Sequence, residues 1–230
     1  MKQMGYGSGR DAVRGRLGPV LLPMLVALLV TGCAEPIGAV MLQVSPPEDW
    51  TESLDILRVQ KDDFFRRSQE TPLPAARVAD FGGLEYWEPD AAYYFVGRMQ
   101  IYAQPERFDI GTTAGGQRPC ERYGQLSFPL GGEVRTLQVY RMLDNPPSES
   151  ESFLVPFRDK TSGKETYPSG RYVNLDGPPG GPYVLDFNVA YNPSCAYGDV
   201  QRFACPVTPS ENRLDIRVEA GERGYQPEGV

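Results

Sequence analysis

Tyr123-Gly-Gln-Leu-Ser-Phe-Pro-Leu-Gly-Gly-Glu-Val-Arg-Thr-Leu-Gln-Val-Tyr-Arg-Met142 is the stretch on which the fold turns. Leu126, Phe128 and Leu130 alternate with other residues, and the alternation resumes from Val134 to Met142. Between the two runs, Gly131-Gly132 can supply the positive φ angles of a two-residue turn, so the segment reads as a β-hairpin. Upstream, Phe95, Gly97, Met99 and Ile101 alternate with Val96, Arg98, Gln100 and Tyr102 as one further strand. Downstream, strands are expected at Phe153–Arg158, Arg171–Leu175, Tyr183–Val189 and Arg213–Ala220. The 22 prolines and 25 glycines punctuate these short runs with turns. Eight or nine strands with such punctuation predict a mainly β chain: one antiparallel β-sandwich or flattened barrel over residues 46–222.

One helix is expected before the strands. Ser45-Pro46-Pro47-Glu48 reads as a capping box with Pro46 at the first helical position. Trp50, Leu54, Leu57, Lys61 and Phe64 or Phe65 follow at helical spacing and give one face to the domain. The helix is expected to stop near Thr71-Pro72. Residues 33–45 read as a tether and residues 223–230 as a tail.

The first 32 residues have the grammar of an export signal. Lys2, Arg10, Arg14 and Arg16 precede an apolar run from Leu17 to Val30, too short for the ~20 residues of a membrane-spanning helix. Leu29-Val30-Thr31-Gly32-Cys33 resembles the lipobox of lipoprotein precursors. Cleavage before Cys33 and lipidation of its thiol are therefore expected, with the membrane as a partner through the lipid. Ala34, rather than Asp, after that cysteine points to outer-membrane delivery within the cell envelope.

The leader takes with it four of the 23 basic residues and one of the 30 acids, leaving a charge of about −10 on the remainder. Nucleic acid is an unsuitable partner for such a surface. The chain has no histidine, which excludes a Ser-His-Asp or Cys-His catalytic arrangement and any metal site built on imidazole. Cys195 and Cys205 enclose a short loop between Pro193 and Pro206, and an exported chain permits a disulfide there. Cys120 is then the odd thiol, although its pairing with either of the others remains open. Thr161-Ser162-Gly163-Lys164 is no phosphate loop, because Glu165 follows the lysine and Arg158 stands where the first glycine belongs. No nucleotide, cofactor, metal or catalytic residue is expected.

Two segments concentrate polar residues among turn formers: Phe157 to Tyr172, and Asp186 to Tyr197 continuing through Cys205-Pro206 to Arg213. They carry the motifs Asp159-x-Thr-Ser-Gly-x-x-Thr-Tyr-x-x-Gly-Arg-Tyr172, Asp186-Phe-Asn-x-Ala-Tyr-Asn-Pro-x-Cys-Ala-Tyr197 and Cys205-Pro-x-x-Pro-x-Glu-Asn-Arg-Leu214. With Lys61-Asp62 and Phe81-Gly-Gly-Leu84, these resemble the signature of the bacterial family called domain of unknown function sixteen eighty-four, from about residue 50 to 222. The resemblance implies no activity. The residues themselves define a candidate binding cluster of Asp159, Thr161, Tyr167, Arg171, Asp186, Asn188, Tyr191 and Asn192. An arginine among phenols and amides suits a carboxylate, phosphate or sugar. The same groups suit a lattice that braces irregular loops, with Arg171 paired to Asp159 or Asp186. The leading expectation is an envelope lipoprotein that binds a small polar or glycan ligand or a partner protein without catalysis. A hydrolase or transferase working through Asp, Tyr, Lys or Arg, and a purely structural subunit, are the alternatives.

Overall fold

The computed structural model describes residues 40–145, 152–177, 180–198 and 202–225. The export signal, Cys33 and most of the acidic loop around residues 146–151 lie outside the described residues. The hairpin is formed as read: β4 (Gln117–Leu130) turns through Gly131 and Gly132, with φ of 65° and 80°, into β5 (Glu133–Met142). Around it lie β3 (Gln100–Gly111), β6 (Ser152–Phe157) and β7 (Arg171–Asp176), in the order β3-β4-β5-β6-β7. A smaller sheet joins β1 (Leu42–Gln43), β2 (Tyr94–Arg98) and β8 (Pro182–Asp186), in the order β1-β2-β8. Both sheets are antiparallel throughout. Phe95, Leu185 and Phe187 meet Leu126, Phe128, Val155 and Phe157 in one shared core. This is a mainly β, sandwich-like fold.

Several expectations are corrected by tertiary packing. The alternating run Phe95–Tyr102 is not one strand: it breaks at buried Met99, and its halves serve different sheets. The folded domain begins before the expected end of the tether, because Met41 is 0% exposed in the core and Leu42 pairs with Val96. Tyr183–Val189 is strand only to Asp186, after which Phe187–Val189 forms a 3₁₀ turn. Arg213–Ala220 alternates in burial, yet joins no sheet. Arg223 and Tyr225 are not tail: the Arg223 N–H donates to the Glu85 carbonyl, and Tyr225 packs on Phe81 and Tyr197.

The helix is present but starts later. Pro46 and Pro47 hold the entry in a turn, where the Pro47 carbonyl accepts from the Trp50 N–H at 3.1 Å. Helix α1 therefore spans Trp50–Arg67, with Asp49 at its cap position making no side-chain capping bond. Its buried residues are Leu54 and Phe65, and Phe65 packs with Leu73, Phe81 and Tyr197 in a second, smaller core. A short helix, α2 (Ala75–Val78), follows.

Candidate functional site

The predicted cluster does converge. The Tyr172 and Tyr191 backbones exchange hydrogen bonds of 2.9 and 3.0 Å, joining the two motif-dense segments. What they build around Arg171 is a brace. Arg171 is 1% exposed and lies between the rings of Phe157 and Trp87, at 5.1 and 5.2 Å. Its guanidinium donates to the carbonyls of Val218 at 2.8 Å, Glu222 at 3.2 Å and Ala220. Asp159 Oδ2 stands 3.6 Å from it and accepts the Val218 N–H at 2.6 Å. Asp159 also accepts from Thr161 and Ser162, and Thr161 bonds Thr166, which closes the turn beneath. Burial lowers the Arg171 pKa to about 10 against the pull of Asp159 and Glu222, so the group stays cationic at neutral pH.

The other predicted residues divide between locks and a cavity wall. Asp186 accepts from the Trp50 indole at 2.7 Å and from the Asn188 side chain at 2.8 Å, tying α1 to the end of β8. Asn188 further exchanges two 2.9 Å bonds with the Asp90 backbone. The Asn192 side chain donates to the Arg223 carbonyl at 2.7 Å. The Tyr167 hydroxyl makes a long 3.7 Å contact with Cys195 Sγ. Tyr191 bonds Asn174 at 3.0 Å, and its ring faces Lys61.

The expected disulfide is not formed. Cys195 and Cys205 are buried free thiols, and Cys205 Sγ accepts from the Cys195 backbone N–H at 3.2 Å. Hydrogen bonding from Cys205 brings the Cys195 pKa down to about 6, whereas the same bond and burial push Cys205 up.

A cavity of about 380 Å³ opens beside this framework, beneath α1. Leu54, Leu57, Arg58 and Lys61 from the helix face Tyr86, the segment Asn188–Tyr191 and Glu222 across it. Asn188 and Tyr191 are the only two of the eight predicted residues along its wall. Glu222 reaches the cavity because Gly221 has φ of 75° and presses on the Phe187 and Ala190 carbonyls, where any Cβ would lie within 2.6 Å. Glu222 is 1% exposed, pairs with Lys61 Nζ, and accepts from the Tyr197 hydroxyl at 2.6 Å and the Asn192 N–H at 2.8 Å. Arg58 donates to the Trp87 carbonyl at 3.0 Å and stacks 4.6 Å above the Tyr86 ring. Arg58 Nε and the Tyr86 hydroxyl oxygen are buried with no hydrogen-bond partner within 3.5 Å, and the Glu222 carboxylate is the hydrogen-bonding neighbour of the Tyr86 phenol. Burial first, then the charges of Glu222 and Asp62, hold the Tyr86 phenol well above its ordinary pKa, so it remains a neutral donor.

A second, shallower groove of about 390 Å³ runs over the large sheet beside Tyr102, Gln104, Glu106, Arg122, Gln138 and Glu211. Its charges are already paired: Arg122 bridges Glu106 and Glu211, with only its Nε left over, and Tyr102 bonds Gln125 and Gln138. The cavity under α1 is therefore the better candidate. Sequence reasoning missed most of it. Lys61 carried a readable signal, a charge on an otherwise apolar helical stripe, and Arg58 shares that face at four residues from Leu54 and three from Lys61, whereas Tyr86 and Glu222 sit in no periodic pattern.

A family model described as "Protein of unknown function (DUF1684)" matches residues 79–223. The chain belongs to this family. The DUF1684 match takes in the Arg171 brace and the Tyr86 and Glu222 side of the cavity, whereas α1, with Arg58 and Lys61, precedes it. The chain is also similar to an uncharacterized protein of Haloarcula marismortui solved by NMR in solution. The two share 39% identity with a TM-score of 0.60, over 76% of this chain and 95% of the other. No curated protein matches.

Proposed function

We propose that this DUF1684 protein is a lipid-anchored, non-catalytic binding module of the cell envelope, which takes a small amphipathic ligand into the cavity under α1. The carrying observation is that the cavity's largely apolar walls meet two cationic side chains, Arg58 and Lys61, of which only Lys61 is paired with a carboxylate among the described residues. Pockets of this kind, mostly apolar with a few convergent polar groups, are the usual form of small-molecule sites.

Thermal melts of the full chain in lipid nanodiscs test the reading, with 4-phenylbutan-1-ol as a neutral amphipathic probe. Saturating probe is expected to raise the melting temperature by a few degrees. Leu57 at the cavity lip is 52% exposed, so Leu57→Glu should fold normally and lose most of that shift. An unchanged shift in Leu57→Glu would remove the cavity from consideration.

The anchor rests on the basic leader and the Leu29-Val30-Thr31-Gly32-Cys33 sequence. Fed radiolabelled palmitate, cells should label the wild-type chain and not Cys33→Ser. Equal labelling would overturn the anchor and leave the binding reading intact.

A further inference from the structure

We infer that the cavity under α1 selects monoanions: small organic carboxylates whose head group is received by Arg58, Lys61 and Tyr86 and whose short apolar or aromatic body lies against Leu54, Leu57 and Val189. The inference rests on the cavity being the binding site proposed above and specifies what it accepts.

The local charges carry it. Glu222 is the one carboxylate lining the cavity, and its oxygens are already engaged by Lys61, the Tyr197 hydroxyl and the Asn192 N–H. Asp62, the next acid along α1, accepts from the Leu84 N–H at 3.0 Å and pairs with Arg66 at 3.4 Å. Arg58 has no carboxylate within ion-pair distance among the described residues, although Lys61, Asp62, Arg66 and Arg67 on the same helix are all paired. One positive charge beside an apolar cavity is thus left without a counterion.

The donors agree with the charge. Arg58 spends one guanidinium nitrogen on the Trp87 carbonyl, the Tyr86 phenol stays a neutral donor, and the Lys61 ammonium has more hydrogens than its bond to Glu222 uses. All three groups line the cavity, and neither an arginine nor a lysine can accept. A carboxylate satisfies such a set with charge-assisted bonds, which are about twice as strong as neutral ones. An alcohol fills the same space with one acceptor and no charge, and an ammonium meets two like charges. A single anionic charge neutralises Arg58, and a cavity at the low end of the ligand-pocket range suits a small acid rather than a long-chain lipid.

The experiment is a series of one body with three heads: 4-phenylbutyrate, 4-phenylbutan-1-ol and 4-phenylbutylamine, titrated into the full chain in nanodiscs of zwitterionic lipid. The acid should bind about tenfold more tightly than the alcohol, and the amine more weakly than either. That preference should shrink as salt rises. Arg58→Met should abolish it. Tyr86→Phe keeps the ring under Arg58 and should reduce it several-fold, the ratio of acid to alcohol affinity being the quantity read in each variant. Equal binding of acid and alcohol, tighter binding of the amine, or full preference in both variants overturns the anion selection while the binding reading stands. Binding of none of the three overturns both.

Discussion

Arg171 and Arg58 are two arginines treated in opposite ways. Both stack on aromatic rings, both reach backbone carbonyls, and both leave Nε without a partner. Arg171 has a ring on each side, three carbonyls in front of it and Asp159 at 3.6 Å. Arg58 has one carbonyl, one ring and an open cavity. The orphaned Nε is therefore not what separates them. A buried charge enclosed by its own chain holds the chain together, whereas a charge that faces open volume is available to something else. The densest sequence motifs mark the first kind.

The largest expected effect is at the brace. Arg171→Ala removes the donor to three successive alternate carbonyls of the 218–222 segment and leaves Asp159 as an uncompensated buried charge. A loss of about 3–5 kcal/mol follows, enough to collapse the thermal transition of a marginal domain. Arg171→Lys should recover only part, because an ammonium is a point donor where a planar fork is needed. A melting temperature that stays within a degree or two in Arg171→Ala would break the contrast between the two arginines.

The smaller effect is at Glu222, where the two regions join: its carbonyl accepts from Arg171 and its carboxylate from Lys61. Glu222→Gln keeps the size and the brace but releases Lys61, which is 28% exposed in its side chain and can be hydrated. Stability should fall by about 1–2 kcal/mol in denaturant titrations. Affinity for 4-phenylbutyrate should rise by several-fold, because the cavity loses its own negative charge. A parallel fall in both quantities would assign Glu222, and the cavity with it, to the framework.

Much of the fold was legible because it is written in short range. Gly131-Gly132 between alternating runs specifies a hairpin whatever surrounds it, and β6 and β7 were readable from their own short apolar runs. The Arg213–Ala220 segment is more instructive. Leu214, Val218 and Ala220 do face inward, as their alternation indicates, but the segment's hydrogen bonds go elsewhere. The Val218 and Ala220 carbonyls go to Arg171, and the Val218 N–H goes to Asp159. An extended chain was readable. That its first half would bond the backbone of residues 158–160 and its second half the side chains of Arg171 and Asp159 was not.

By itself, then, the sequence determined the mainly β class, the β4–β5 hairpin with its tight turn, the strands β6 and β7, and that an Asp–Arg pair was available for burial. Tertiary structure alone decided that the Phe95–Tyr102 run divides between two sheets at Met99, that Cys195 and Cys205 remain thiols, and that Arg58, Lys61, Tyr86 and Glu222 meet. The physical reason is separation along the chain. Local patterns constrain only neighbours, whereas Lys61 and Glu222 stand 161 residues apart and are joined only when α1 docks over the turn at Phe187 and Gly221 admits the carboxylate beneath it.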